Sequence, residues 1–222
     1  MKNIAPPTRV YRQTARAKAA VRTGERILRS FTVRLRSGWV DEIRLDDVAA
    51  DARVTVQTVI RRFGGKEGLL EACLAQLEQD LFGDRQVPAG GVSAALDAII
   101  DEYELRGEFM LRLLAQEDRY APIRVLTDRG RAAHRRWVGE VFQPFLSRLE
   151  GVERLLAHER LVIALDLSVW KLLRVDVKRS TAALRQVMLA MCAAALGTSP
   201  EALESSLPVE PETAVEPETA DK

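Results

Sequence analysis

Residues 52–70, ARVTVQTVIRRFGGKEGLL, decide how this chain folds. Thr55 stands ahead of an apolar-periodic run, where its hydroxyl accepts a hydrogen bond from a free amide of the next turn. The Gly64-Gly65 pair closes the run ahead of Lys66-Glu67. This punctuation predicts a helix of about eight residues followed at once by another. A helix so short does not hold itself together in water and depends on what its apolar side covers. Val54, Val59 and Phe63 fall on that side, whereas Gln57, Thr58, Arg61 and Arg62 fall on the others. A polar, cationic face is left to turn outward.

Upstream, Leu45, Val48 and Ala49 give an inward side to a second short helix over roughly 46–52, with Asp46 and Asp47 favourably set against the positive end of its dipole. Before it, Ile27, Phe31 and Leu35 repeat at i, i+4 and i+8 between Arg22 and Arg36, and Gly38 ends the stripe. A longer helix followed by two short ones across a tight turn is the plan of a helix-turn-helix. In that plan Val56, Gln57 and Ile60, with Arg61 beside them, form an outward ridge about as wide as the DNA major groove. Gln57 can present a donor and an acceptor to an adenine edge, Arg61 can reach a guanine or a phosphate, and Val56 can touch a thymine methyl. Lys66, at the start of the next helix, joins an ammonium to free backbone amides as a phosphate clamp. Each of these side chains taken singly suits a solvated helix face equally well. The charge distribution favours the groove.

The formal net charge is +1 over 222 residues. Residues 1–66 nevertheless hold 15 Lys or Arg against 6 Asp or Glu, a local balance of +9, which leaves 18 against 26, or −8, for the remainder. Attraction to a polyanion follows local charge, so the first third of the chain is expected to meet double-stranded DNA while the rest does something else.

The run from Ile27 to Leu70 resembles the DNA-binding domain of the TetR family of bacterial transcriptional regulators. The matching residues are Val48-Ala49, Ala52-Arg53-Val54-Thr55, Thr58-Val59-Ile60-Arg61-Arg62-Phe63 and Lys66-Glu67-Gly68-Leu69, without a gap. The resemblance implies that Thr55 caps the recognition helix, that Gln57, Ile60 and Arg61 face DNA, and that Lys66 contacts phosphate. Arg44 and Val56 complete this DNA-facing set. Three positions depart from the family pattern. Arg53 replaces the usual turn glycine, Arg44 stands where Ser or Thr usually caps the first short helix, and Ile60 replaces a tyrosine. A left-handed backbone at Arg53 would cost on the order of 1 kcal/mol. Arg53 and Arg62 would also add cations at the same surface.

Downstream, helical patterns run over roughly 66–82, 93–116, 122–131, 132–149, 153–174 and 180–196. The fold is expected to be all-α: an N-terminal three-helix helix-turn-helix domain plus a C-terminal helical ligand-binding and dimerisation domain. The expected divisions are a basic arm at 1–21 that becomes helical, the helix-turn-helix at 22–65, an effector and dimerisation domain at 66–198, and a disordered acidic tail at 199–222. That tail carries the hexapeptide VEPETA twice, at 209–214 and 215–220, and few large apolar groups.

The helix over 153–174 has two apolar stripes, more than one packing face requires, and the next helix adds a third. Leu161, Leu165, Leu172, Leu184, Val187, Met188 and Met191 are therefore expected at a symmetric homodimer contact, with the monomer core as the other reading. Tyr103, Met110, Leu114, Trp137, Val141 and Trp170 could line an apolar cavity for a small-molecule effector, with His134 or Asp166 orienting it; such a stripe is more often plain core. Phe109 and Leu113 belong to the same stripe.

No catalytic constellation accompanies the two histidines, His134 and His158, so an enzyme is not expected, and neither a cofactor nor a metal is implied. Cys73 and Cys192 lie far apart in apolar settings and read as buried thiols. Neither a membrane-spanning run nor a secretory signal is indicated, which leads to the expectation of a cytoplasmic protein without a membrane partner. The expected function is a transcriptional regulator, a repressor released by its effector. The alternative is a TetR-like structural or cell-division factor that binds DNA without one.

Overall fold

Every strong periodicity in the sequence becomes a helix, and among the described residues there is no strand. The computed structural model describes the backbone of residues 8–82 and 85–206 and the side chains of residues 17–78 and 85–206. Its α-helices are α1 Thr8–Ser37, α2 Leu45–Asp51, α3 Val56–Phe63, α4 Lys66–Phe82, α5 Val92–Leu114, α6 Ala121–Val141, α7 Gln143–Leu146, α8 Gly151–Ala164, α9 Leu167–Trp170, α10 Thr181–Ala195 and α11 Pro200–Glu204. A 3-10 turn covers Val40–Glu42, and a π-helical turn covers Lys171–Asp176. No helix among the described residues is long and apolar enough to cross a membrane.

The chain divides into two compact units, residues 1–83 with 112–128, and residues 84–111 with 129–222. In the first, the predicted stripe of α1 is the centre of the core: Ile27, Phe31 and Leu35 are buried with Val48 and Ala49 of α2, Val59 of α3, and Leu69, Leu70 and Cys73 of α4. Because α4 gives its apolar side to this core, it lies in the same unit as α1 to α3, whereas the pattern of the sequence places residue 66 onward in the second domain. Helix α1 begins at Thr8, so residues 8–21 are part of it instead of an arm ahead of it.

Polar ties fix the remaining angles of this unit. Ser30 and Arg34 of α1 both donate to the Asp51 carboxylate at the end of α2, at 3.1 and 2.5 Å. Gln116, almost wholly buried, accepts from the Val40 amide at 2.9 Å and donates to the Arg112 carbonyl at 2.8 Å, so both ends of its amide are used. Thr32 Oγ1 meets Cys73 Sγ at 3.0 Å.

In the second unit Leu161, Ala164 and Leu165 pack with Leu184, Met188 and Cys192, which joins α8 to α10. The two patterns predicted over 122–131 and 132–149 merge into the single α6, and the chain turns at Phe142 into α7, whose first turn carries Pro144. The helix expected over 153–174 is broken instead. Helix α8 ends at Ala164, the Asp166 carboxylate accepts from the Ser168 amide at 2.8 Å to cap α9, and the chain then widens into the π turn. Lys171 pairs with Asp176 at 2.8 Å across that turn, the i, i+5 spacing that a π turn brings onto one side. Cys192 and Cys73 are buried free thiols, and burial pushes the Cys192 pKa up to about 12.

Part of the expected disordered tail is ordered. Ser199 caps α11 by accepting from the Ala202 amide at 3.2 Å, Leu203 is buried, and Arg185 joins Glu204 at 2.7 Å to Asp97 at 2.8 Å. The VEPETA repeats lie outside the described residues.

Candidate nucleic-acid interface

The short helix α3 is held at both ends. Thr55 Oγ1 accepts from the Thr58 amide at 3.3 Å, and Gly64, at φ +79°, ends the helix in the left-handed conformation that glycine adopts without a Cβ penalty. Val59 is fully buried where α3 packs on α2 and α4, with Val54 and Phe63 half-buried on either side. Gln57, Ile60 and Arg61 are consequently exposed together, and Ile60 leaves 40% of its surface to solvent beside two polar neighbours. Thr55 and Arg44 are also exposed, and Val56 is half-buried. Arg44, the residue just ahead of α2, is in extended conformation and makes no side-chain cap, so its guanidinium is not used by the helix end. Asp46 and Asp47 take the first turn of α2, as the dipole favours.

The turn between α2 and α3 takes the costly form. Arg53 has φ +52°, a left-handed backbone on a non-glycine residue. The neighbouring Ala52 carbonyl accepts from Arg26 Nε of α1 at 3.1 Å, and the Val54 amide donates to Ala49 at 2.9 Å, so the strained turn is pinned on both sides.

Two of the expected cations are already engaged. Arg62 lies along α1: a Cβ added at Gly24 would stand 2.7 Å from its Cζ, so this glycine makes room for the guanidinium. Arg62 is thus turned to α1 instead of adding a cation beside Arg61. No spacing rule connects residues 24 and 62, and only a buried glycine in the middle of an otherwise regular helix hints at such an approach. Lys66 is half-buried, and its ammonium donates to the Asp41 carbonyl at 3.0 Å. Desolvation lowers its pKa from the ordinary lysine value, against the opposing pull of Asp41. The Asp41 carboxyl is itself held below the usual range by the Tyr120 hydroxyl and by Arg119, which pairs with it at 2.5 Å. An ammonium has three donors, and Asp41 uses one.

The expected effector residues separate. Leu113 and Leu114 belong to the first unit and the others to the second. Asp166 spends its carboxylate as the cap of α9, so it is a structural group here instead of an orienting one. The Tyr103 hydroxyl is buried and donates to the Leu165 carbonyl at 3.0 Å. Trp170 Nε1 donates to Glu104 at 2.7 Å, and Arg174 holds the same carboxylate at 2.7 Å. Val141 is core, its carbonyl accepting from Gly90 at 2.7 Å, and Met110 is half-buried. His134 and Trp137, one turn apart on α6, do come together, with ring centroids 6.2 Å apart. A surface cleft of about 320 Å³ is lined by Glu104, Leu105, Glu108, Trp170, Arg174 and Val175, and shares only Trp170 with the expected set. No group of three or more His, Cys, Asp or Glu among the described residues could hold a metal ion.

The expected dimer residues divide between the interior and the surface of the chain. Leu161, Leu165, Leu184 and Met188 are fully buried within one chain, because α8 and α10 spend these residues on each other. Met191 is half-buried. Val187 and Leu172 retain 40% and 55% of their surface, and Ile163, which stands outside the expected set, retains 60%. Val152, Leu155 and Leu156 of α8 are exposed as well. No protein-family model matches the chain, and no curated protein is significantly similar to it.

Proposed function

We propose that this chain is a DNA-binding transcriptional regulator of the TetR type, a homodimer that lays α3 in the major groove and acts as a repressor released by a small molecule. The observation that carries the reading is α3 itself: capped at both ends, anchored by the buried Val59, and exposing Gln57, Ile60 and Arg61 within a segment of net charge +9. A short helix of this kind suits groove insertion, since its length is about that of the contact and its anchoring fixes the direction of the outward side chains. Gln57 suits an adenine edge, Arg61 a guanine or a phosphate, and the exposed Ile60 a thymine methyl. Lys66 retains donors for phosphate beyond the one given to Asp41. Dimerisation is supported by the exposed Ile163, Leu172 and Val187, large apolar side chains that one chain leaves uncovered.

The test separates base reading from phosphate clamping on a duplex obtained by selection from random sequence. Gln57→Ala should cost about 1–3 kcal/mol on the selected duplex and relax preference at one base pair, with little effect on random DNA. Lys66→Ala should weaken both duplexes alike and lower the salt slope by about one unit for each phosphate no longer neutralised. Equal weakening of both duplexes by Gln57→Ala would mean that α3 does not read bases.

A further inference from the structure

His134 and Trp137 bring two buried polar atoms together without protein partners. Trp137 is only 8% exposed, and neither its Nε1 nor His134 Nδ1 has a hydrogen-bond partner among the described residues. A buried polar group left unpaired is costly, so two on adjacent turns of one helix call for a common explanation. Their chemistry is complementary. His134 Nε2 lies 3.2 Å from the Val162 carbonyl, which can only accept, so Nε2 carries the proton. Burial lowers the pKa of this imidazole and keeps it neutral, which leaves Nδ1 as an acceptor. The indole Nε1–H can only donate. One acceptor and one donor therefore share a side of α6.

The charges nearby restrict what answers them. The Arg85 guanidinium lies 4.8 Å from the Trp137 ring centroid and is already paired with Glu102 through two bonds of 2.5 and 2.8 Å. With that cation compensated and Asp166 also acting on His134, a further anion would find no free partner here. The rings of His134 and Trp137 are 29° from parallel, flat surfaces suited to a flat apolar body.

We propose that the second unit binds an uncharged, flat small molecule whose hydroxyl or amide accepts from Trp137 Nε1–H and donates to His134 Nδ1. This deepens the effector part of the proposed function; release of DNA rests on that reading, while binding of the molecule does not.

The probes are phenol and benzamide, which carry the required donor and acceptor, against benzene, which has neither, and benzoate, which is charged. The protein has three tryptophans, so indole-¹⁵N labelling gives three side-chain resonances, and Trp137→Phe identifies the relevant one. Phenol and benzamide should move the Trp137 resonance saturably in the full chain, with benzene and benzoate at least about tenfold weaker. His134→Phe, folded by circular dichroism, should weaken phenol by about the same factor. The proposal is overturned if no probe moves the Trp137 resonance, as an internal water alone would give, or if benzene matches phenol. Duplex titration with and without phenol runs beside this. A shifted Trp137 with no DNA binding supports the site and removes the regulator reading, whereas sound DNA binding with an unmoved Trp137 overturns the site alone.

Discussion

Arg53 carries the clearest local conflict between sequence and backbone. Its φ of +52° belongs to the region where a side chain costs on the order of 1 kcal/mol, and the turn persists because Arg26 and the Val54 amide pin it. Arg53→Gly should therefore raise unfolding stability by up to about 1 kcal/mol in denaturant titration, and a loss of stability would mean that the arginine side chain makes a compensating contact. Asp51 gives a second residue-level expectation. The Arg34 hydrogen bond, with Ser30 behind it, holds its carboxyl below the ordinary 3.8. Its contribution is thus fully present above that value and is lost as pH falls through the lower folded pKa. Asp51→Asn should flatten this acid limb of the stability curve while leaving its shape near neutrality, and an unchanged acid limb would exclude the tie. The Thr55 cap and the Gly64 stop are legible in the sequence because their chemistry is local. Arg62 on Gly24 is not, because that approach depends on how two helices cross.

Among the elements, legibility follows the same division. Helices α1 to α4 are readable from their stripes and caps, and the pattern over 66–82 coincides with Lys66–Phe82 to the residue. The break after Ala164 is hidden because Asp166 looks like any polar residue on a helix until its carboxylate is seen to cap Ser168, and because a π turn leaves no change in apolar spacing long enough to notice. The apolar surplus of 153–174 and 180–196 divides between core and surface. Leu161 and Leu184 serve the core, whereas Ile163, Leu172 and Val187 stay outside it. Two stripes on a helix predict two contacts without saying which is internal. Ile163→Glu with Val187→Glu should accordingly give a folded monomer, since a symmetric contact would bury two copies of each charge. Sedimentation that still finds a dimer for the folded variant would remove these residues from the interface.

For the molecule as a whole, the charge split of +9 and −8 is open to direct reading, while the division of the chain is not. Residues 112–128 join the first unit through Gln116, Arg119 and Tyr120, contacts that no local pattern announces. The central claim is that the basic third meets the phosphates of duplex DNA, and affinity as a function of salt tests it most directly. A dimer neutralising roughly six to ten phosphates should lose about 10³ to 10⁵ in affinity between about 50 and 200 mM salt. Fluorescence anisotropy of a labelled duplex titrated with the full chain across that range should give a steep linear fall of log affinity against log salt. No binding at low salt, or an affinity flat across the range, would contradict the account.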